Sequence, residues 1–178
     1  SLEIGVVSLN VENLSSMTKF YHEVLMFELI ESKEDHAILG YSGKPLLSLH
    51  EVKGMKPPEG SAGLYHTAFL FEKRSHLATV LKHLFESSPL SYTGSGDHTV
   101  SEAFYLNDPE GNGIELYYDR DRSLWQWENG TINMGTTYID EGAYVDKYMS
   151  DEKAGIKIGH VHLKVGNIEA AREFYVEL

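Results

Sequence analysis

The 178-residue chain contains no cysteine. That excludes a disulfide framework and any thiolate metal site, so a bound metal would have to sit on His, Asp and Glu. A cysteine-free chain also suits a reducing cytoplasm, the expected location. Positive charge is scarce: 15 Lys and Arg stand against 27 Asp and Glu, a formal net charge of −12. Such a surface repels phosphate backbones and anionic lipid, so neither nucleic acid nor a membrane is an expected partner. No run of eighteen apolar residues and no signal-peptide pattern is found in these residues. What is present is the composition of an ordinary globule, 42% hydrophobic and 24% charged. The length allows one sizeable domain, or one domain with a piece of another. Nine histidines are generous for a chain of this length and draw attention to where they fall.

One unit is begun twice. The stretch IGVVSLNVENLSSMTKFYHEV starts at Ile4, and IGHVHLKVGNIEAAREFYVEL starts at Ile158. Aligned without a gap, Val7, Leu9 and Val11 meet Val161, Leu163 and Val165, and Asn13 meets Asn167. Phe20, Tyr21 and Glu23 meet Phe174, Tyr175 and Glu177. So many matches in register mark a duplicated unit. Each copy alternates apolar and polar residues as a strand does, then reaches an asparagine suited to an N-cap. Leu14, Met17, Phe20 and Tyr21 follow at helical spacing. Three further strands are predicted in FELIES, HAILGY and PLLSLHEV, with a hairpin turn at Tyr41-Ser42-Gly43-Lys44. After the connector GMKPPEGSAG the same order returns: strand YHTAFLF, amphipathic helix SHLATVLKHLFESS, then strands LSYTG, SEAFYLND and GIELYYDR.

The opening I-G-x-V-x-L-x-V, the helix bearing Phe-Tyr, and NDPEGNGIELYYDR together resemble the vicinal oxygen chelate superfamily. That group includes glyoxalases, bleomycin-resistance proteins and extradiol dioxygenases. The order GLYHTAFLF, DHTVSEAFYLNDPEGNGIELYYDR, IGHVHLKV is similar to its two-domain catechol 2,3-dioxygenase-like branch. The resemblance implies an α+β fold in which paired βαβββ modules close a cupped, barrel-like sheet with helices outside. Modules at 1–52 and 64–118 would form a first domain at 1–118. Residues 119–157 would cross between domains, with Trp125, Trp127 and Tyr138 packing there and YIDEGAYVDKYMSDEK as a solvated face. Residues 158–178 would begin a second domain, cut short at Leu178.

The resemblance also implies a metal site. A facial triad of two imidazoles and one carboxylate leaves the remaining positions open for substrate oxygens and O₂. His160 matches the first metal histidine, and His162, two residues on, is a substrate-side or second-shell candidate. In the first domain His66 matches the second metal histidine and Glu115 the carboxylate. Their partner position is Val6, which cannot ligate, so that site is expected to be vestigial or rebuilt, with His98 as a substitute. His50 is expected to point away from the cavity. The remaining ligands of His160 are expected beyond Leu178, which would leave this chain inactive by itself. The implied activity is ring cleavage of a small aromatic, catecholic substrate on a divalent metal, Fe(II) before others. A glyoxalase-like metal isomerase or transferase and a non-enzymatic small-molecule binder stay open as alternatives. Strand 158–165, if unpaired, is expected to make the protein self-associate as a homo-oligomer.

Overall fold

A computed structural model describes residues 3–55 and 62–177. The first module contains β1 (Val7–Val11), α1 (Leu14–Lys19), which runs straight into a π-helical turn at Phe20–Val24, then β2 (Glu28–Ser32), β3 (His36–Tyr41) and β4 (Lys44–Glu51). The second contains β5 (Gly63–Phe71), α2 (Arg74–Ser87), β6 (Tyr92–Asp97), β7 (Ser101–Asn107) and β8 (Gly113–Asp119). A hairpin of β9 (Trp127–Glu128) and β10 (Thr131–Ile132) and α3 (Glu141–Tyr148) follow. The duplicated unit then returns as β11 (Ile156–Lys164) and α4 (Ile168–Arg172), and α4 also passes into a π-helical turn, Glu173–Glu177. Residues 56–61 of the connector GMKPPEGSAG lie outside the described residues.

The α+β class and the βαβββ order are those the repeat predicts, down to local chemistry. Asn13 Oδ1 accepts the Ser16 amide at 2.9 Å, and Asn167 Oδ1 accepts the Ala170 amide at 3.0 Å. Both asparagines therefore cap orphan N–H groups in the same way. At the β3–β4 hairpin Ser42 and Gly43 have φ of 51° and 74°, the paired positive values that a type I′ turn needs. On α2 the side chains of Leu77, Val80, Leu81 and Leu84 are fully buried. Each stabilises the fold by about 1.5–3 kcal/mol relative to exposure.

The strands form two principal sheets, ordered β1-β4-β3-β2 and β11-β5-β8-β7-β6. They are not closed into one. On the side of β5 away from β8 lies β11, running antiparallel, and among the described residues β1 pairs with β4 alone. Because β1 and β11 are copies of one strand, the pattern that fits one against β5 fits the other equally well. One apolar core still joins the modules, with the rings of Phe27 and Phe69 edge to face at 4.9 Å. A polar knot joins them too. Asp108 accepts the amides of Glu110 and Asn112 and the buried hydroxyl of Tyr21, while Glu110 accepts the amides of Glu12 and Asn13. The D-P-E-G-N turn of module two thereby holds the strand-to-helix corner of module one.

Segment 119–157 differs from expectation. Trp127 and Tyr138 are exposed; the Trp125 indole N–H donates to the Arg120 carbonyl at 2.9 Å, and the Tyr138 hydroxyl donates to Glu141. Within the acidic stretch, α3 is not a purely solvated face: Tyr144 and Val145 are buried, and Tyr144 meets Phe104 edge to face. The Tyr144 hydroxyl donates to Glu102, which also accepts from Arg74 at 2.8 Å and from Arg120 at 2.8 Å. Burial raises the Glu102 carboxyl, but the two guanidiniums outweigh it and hold the group below its usual range. Glu102→Ala would leave Arg74 without its carboxylate acceptor, the Tyr144 hydroxyl without its partner, and Arg120 with Asp97 and the Thr99 carbonyl alone. It is expected to cost about 3 kcal/mol, the low end for breaking a buried pair because both guanidiniums keep some solvent. A lowered urea midpoint would register the loss.

Candidate metal centre

Strand alternation decides which residues of β5 share a face. Thr67, Phe69 and Phe71 are buried toward the helix side, which sends His66 and Ala68 to the opposite face. On β8 the same alternation sends Ile114 and Leu116 to the core and Glu115 and Tyr117 to the face of His66. The parallel register of Ala68 with Glu115 puts the carboxylate next to the histidine strand. From the other side β11 pairs His162 with His66 and His160 with Ala68. Three different strands thus aim His66, Glu115 and His160 at one point.

The three ligating atoms lie close to an equilateral triangle. His66 Nε2 is 3.0 Å from Glu115 Oε2, His160 Nε2 is 3.3 Å from the same oxygen, and the two nitrogens are 3.2 Å apart. Ligands held about 2.1 Å from a common ion at right angles to one another would be separated by about 3 Å, so the set fits one divalent cation. Protons fit it less well. If both imidazoles donate to Glu115, neither nitrogen can accept from the other. His66 and Glu115 are buried, with 8% and 5% exposure, while the His160 side chain is 45% exposed. Burial pushes the Glu115 carboxyl up, yet hydrogen bonds from His160 and His66 overcome it and bring the group to about 2. It is a carboxylate at any working pH.

Around the triad the same face carries Tyr105, which registers directly opposite Glu115. Burial pushes its phenol up to about 12, and the Glu115 charge adds to the effect. The Tyr105 hydroxyl is 2.8 Å from His98 Nε2, and His98 Nδ1 is 3.3 Å from the Gly135 carbonyl and 3.1 Å from Thr136 Oγ1. With the proton on Nδ1 directed at Gly135, Nε2 accepts from the tyrosine. His162 stands edge-on to His66 at 4.8 Å and borders a hollow of about 460 Å³ shared with His66, Tyr105 and Lys164. Sequence reasoning picks out His98 and His162 but passes over Tyr105. Its only signal there was strand alternation, which puts it two residues before a motif and on the face opposite Phe104.

A family model described as Glyoxalase/Bleomycin resistance protein/Dioxygenase superfamily matches residues 3–116. The chain belongs to this superfamily. Catechol-2,3-dioxygenase of Bacillus subtilis (strain 168) is 36% identical over 98% of this chain and 64% of its own length. The chain thus spans 64% of the length of that relative. Among solved structures, the cppA protein of Streptococcus pneumoniae TIGR4 is similar over 90% of this chain and 59% of its own, with a TM-score of 0.58 at 16% identity. A glyoxylase/bleomycin resistance protein/dioxygenase domain from Frankia sp. EAN1pec is similar over 67% of this chain and all of its own, with a TM-score of 0.56 at 20% identity. These likenesses are of fold.

Within the superfamily's repeated module, position by position, the structure distributes the polar groups unevenly. The pair Val7–Leu47 in module one corresponds to Thr67–Ile114 in module two. Val6 therefore stands where His66 stands, and Ser48 where Glu115 stands, so module one carries no ligand at either place. His50 corresponds to Tyr117 and shares the Ser48 face, bonded to the Ser48 hydroxyl at 2.8 Å. That corrects the expected outward direction of His50: Leu47 and Leu49 are the core-facing residues of β4. The separation of His160 from His66 and Glu115 into two sites also differs from the structure, which gathers them into one. Linear spacing could not show it, because β11 reaches β5 across 94 residues between His66 and His160.

Proposed function

We propose that His66, Glu115 and His160 hold one divalent cation, Fe(II) before other metals, and that the protein is a ring-cleavage dioxygenase of a catecholic substrate. The observation that carries the reading is the convergence of two imidazoles and one carboxylate, each from a different strand, within 3.3 Å of one another. Nitrogen and carboxylate donors without thiolate suit a non-haem ferrous ion, and a set confined to one side leaves the other side open. When bound, that ion supplies adjoining positions for two substrate oxygens and for O₂. The name of the Bacillus subtilis relative supports the catechol class. A reducing cytoplasm would keep the iron ferrous.

The chain's own residues supply space and proton handling. Ala68 and Ala103 pack beneath Tyr105 and Tyr117 beside the triad, and the hollow lined by Tyr65, His66, Tyr105 and His162 is the space for a flat ring. Tyr105 stays protonated at neutral pH and donates to His98 Nε2. A substrate hydroxyl placed against the Tyr105 oxygen can give its proton to that oxygen as tyrosine passes its own to His98. The substrate becomes the catecholate and His98 the imidazolium. Tyr105→Phe breaks the relay and is expected to lower turnover about 10²–10⁴-fold with metal content unchanged. An oxygen electrode with iron-loaded protein and catechol tests the reading. Oxygen uptake matched to a yellow ring-opened product is the expected result. Isomerisation of a substrate without oxygen uptake would replace it with the glyoxalase-like alternative.

A further inference from the structure

Two hollows flank the triad, and they differ in charge. One, of about 480 Å³, borders His160, and its wall carries Glu3, Asp119 and Lys157. The other, of about 460 Å³, lies on the His66 side. Its one formally charged wall residue is Lys164, and no aspartate or glutamate among the described residues lines it. In a chain with 27 acidic and 15 basic residues, that is a local reversal of sign. At physiological ionic strength, charges farther off than about 8 Å are largely screened. The lysine in the wall, rather than the net charge of −12, therefore sets what this hollow prefers.

A file of rings connects the lysine to the triad. The Lys164 ammonium stands 4.8 Å from the centre of the Tyr65 ring. Tyr65 meets His162 edge to face at 4.9 Å, and His162 meets His66 in the same way at 4.8 Å. Along β11 the lysine lies four residues past His160, about 13 Å at the usual strand rise. A flat ring held at the triad, a short side chain on it and the length of the lysine together cover that distance. Asn107 and Thr93, on the same wall, add neutral hydrogen-bond donors. From this arrangement we infer that Lys164 determines specificity: the substrate is a catechol bearing a carboxylate on a short side chain, and the lysine takes that carboxylate while the ring hydroxyls face the triad. The placing of the ring rests on the ring-cleavage reading, whereas the charge of the far end rests on the hollow itself.

Three probes that differ in charge test this: dihydrocaffeate, a catechol with a propionate side chain; its uncharged methyl ester; and dopamine, whose side chain is cationic. Binding is read by calorimetry on zinc-loaded protein without oxygen, and turnover by oxygen uptake of iron-loaded protein. Dihydrocaffeate should bind about 5–10-fold more tightly than its ester, the scale of one ion pair at a half-open site. Lys164→Met should abolish that preference, Lys164→Arg should keep it, and Lys164→Glu should transfer it to dopamine. Equal binding of acid and ester by the unmodified chain overturns the inference. So does a preference for the acid that survives Lys164→Met, as direct binding of the carboxylate to the metal would produce. Oxygen uptake judges the ring-cleavage reading separately. A lysine-dependent preference for the acid without oxygen uptake from any of the three would sink that reading and leave Lys164 in its role.

Discussion

His160→Ala is expected to abolish metal uptake by this chain, although His66 and Glu115 are untouched. The reason is that the proposed site takes all three groups as one ligand set, their ligating atoms lying within 3.3 Å of one another. Loss of a supporting group outside the ligands typically costs 10–100-fold in affinity, so loss of a ligand should cost at least about 100-fold. Removing His160 also takes away one of the two donors that hold the Glu115 carboxylate. Uptake is read as metal per chain after equilibration with Fe²⁺, Zn²⁺ or Ni²⁺ and gel filtration. Thermal unfolding supplies an independent measure. Metal at about 100 times its dissociation constant should stabilise the unmodified chain by roughly 2.7 kcal/mol and leave the variant where it was. Glu115→Gln should behave likewise, since the amide retains the shape and loses the charge. If His160→Ala bound as well as the unmodified chain, the two-histidine, one-carboxylate site would be disproved, and the convergence of the three side chains would have another cause.

Gly159→Ala should be severely destabilising while Gly5→Ala, at the same place in the other copy of the unit, should be nearly silent. A methyl group on Gly159 would lie 2.6 Å from the Tyr117 ring carbon that bears the hydroxyl, and nearer still to the hydroxyl itself. Tyr117 is 7% exposed, so its ring gives way only by leaving its packing against Ala68 and Ala103. A methyl on Gly5 meets nothing within 4 Å. Overpacking of this kind costs about 1–3 kcal/mol, and each kcal/mol lowers Tm by roughly 2–4 °C for a chain of this size. Because Gly159 sits at the register irregularity between Ile158 and His160, the clash should also displace β11 along β5 and loosen the metal site. Scanning calorimetry and metal titration of the two variants side by side would show both effects. Equal behaviour of the two glycine variants would mean that β11 does not lie under Tyr117.

Much of this protein was legible in its residues. The period-two and helical patterns, the paired asparagine caps and the Ser42-Gly43 turn are local. They need only the preferences of neighbouring backbone and side chains, and the repeat checks each against a copy of itself. The residue types able to ligate were also visible, because chemistry alone restricts a cysteine-free metal site to His, Asp and Glu. Which of them share a site was not. That depends on which strand lies on β5, and β1 and β11 present nearly the same strand for the place. Sequence pattern establishes that the two are interchangeable. Only tertiary packing decides between them, by lodging Ile156 and Ile158 in the core and Gly159 beneath Tyr117. With β11 in place His160 arrives beside His66 and Glu115, where the Val6 position of β1 would have brought no ligand, and among the described residues β1 is left with one open edge.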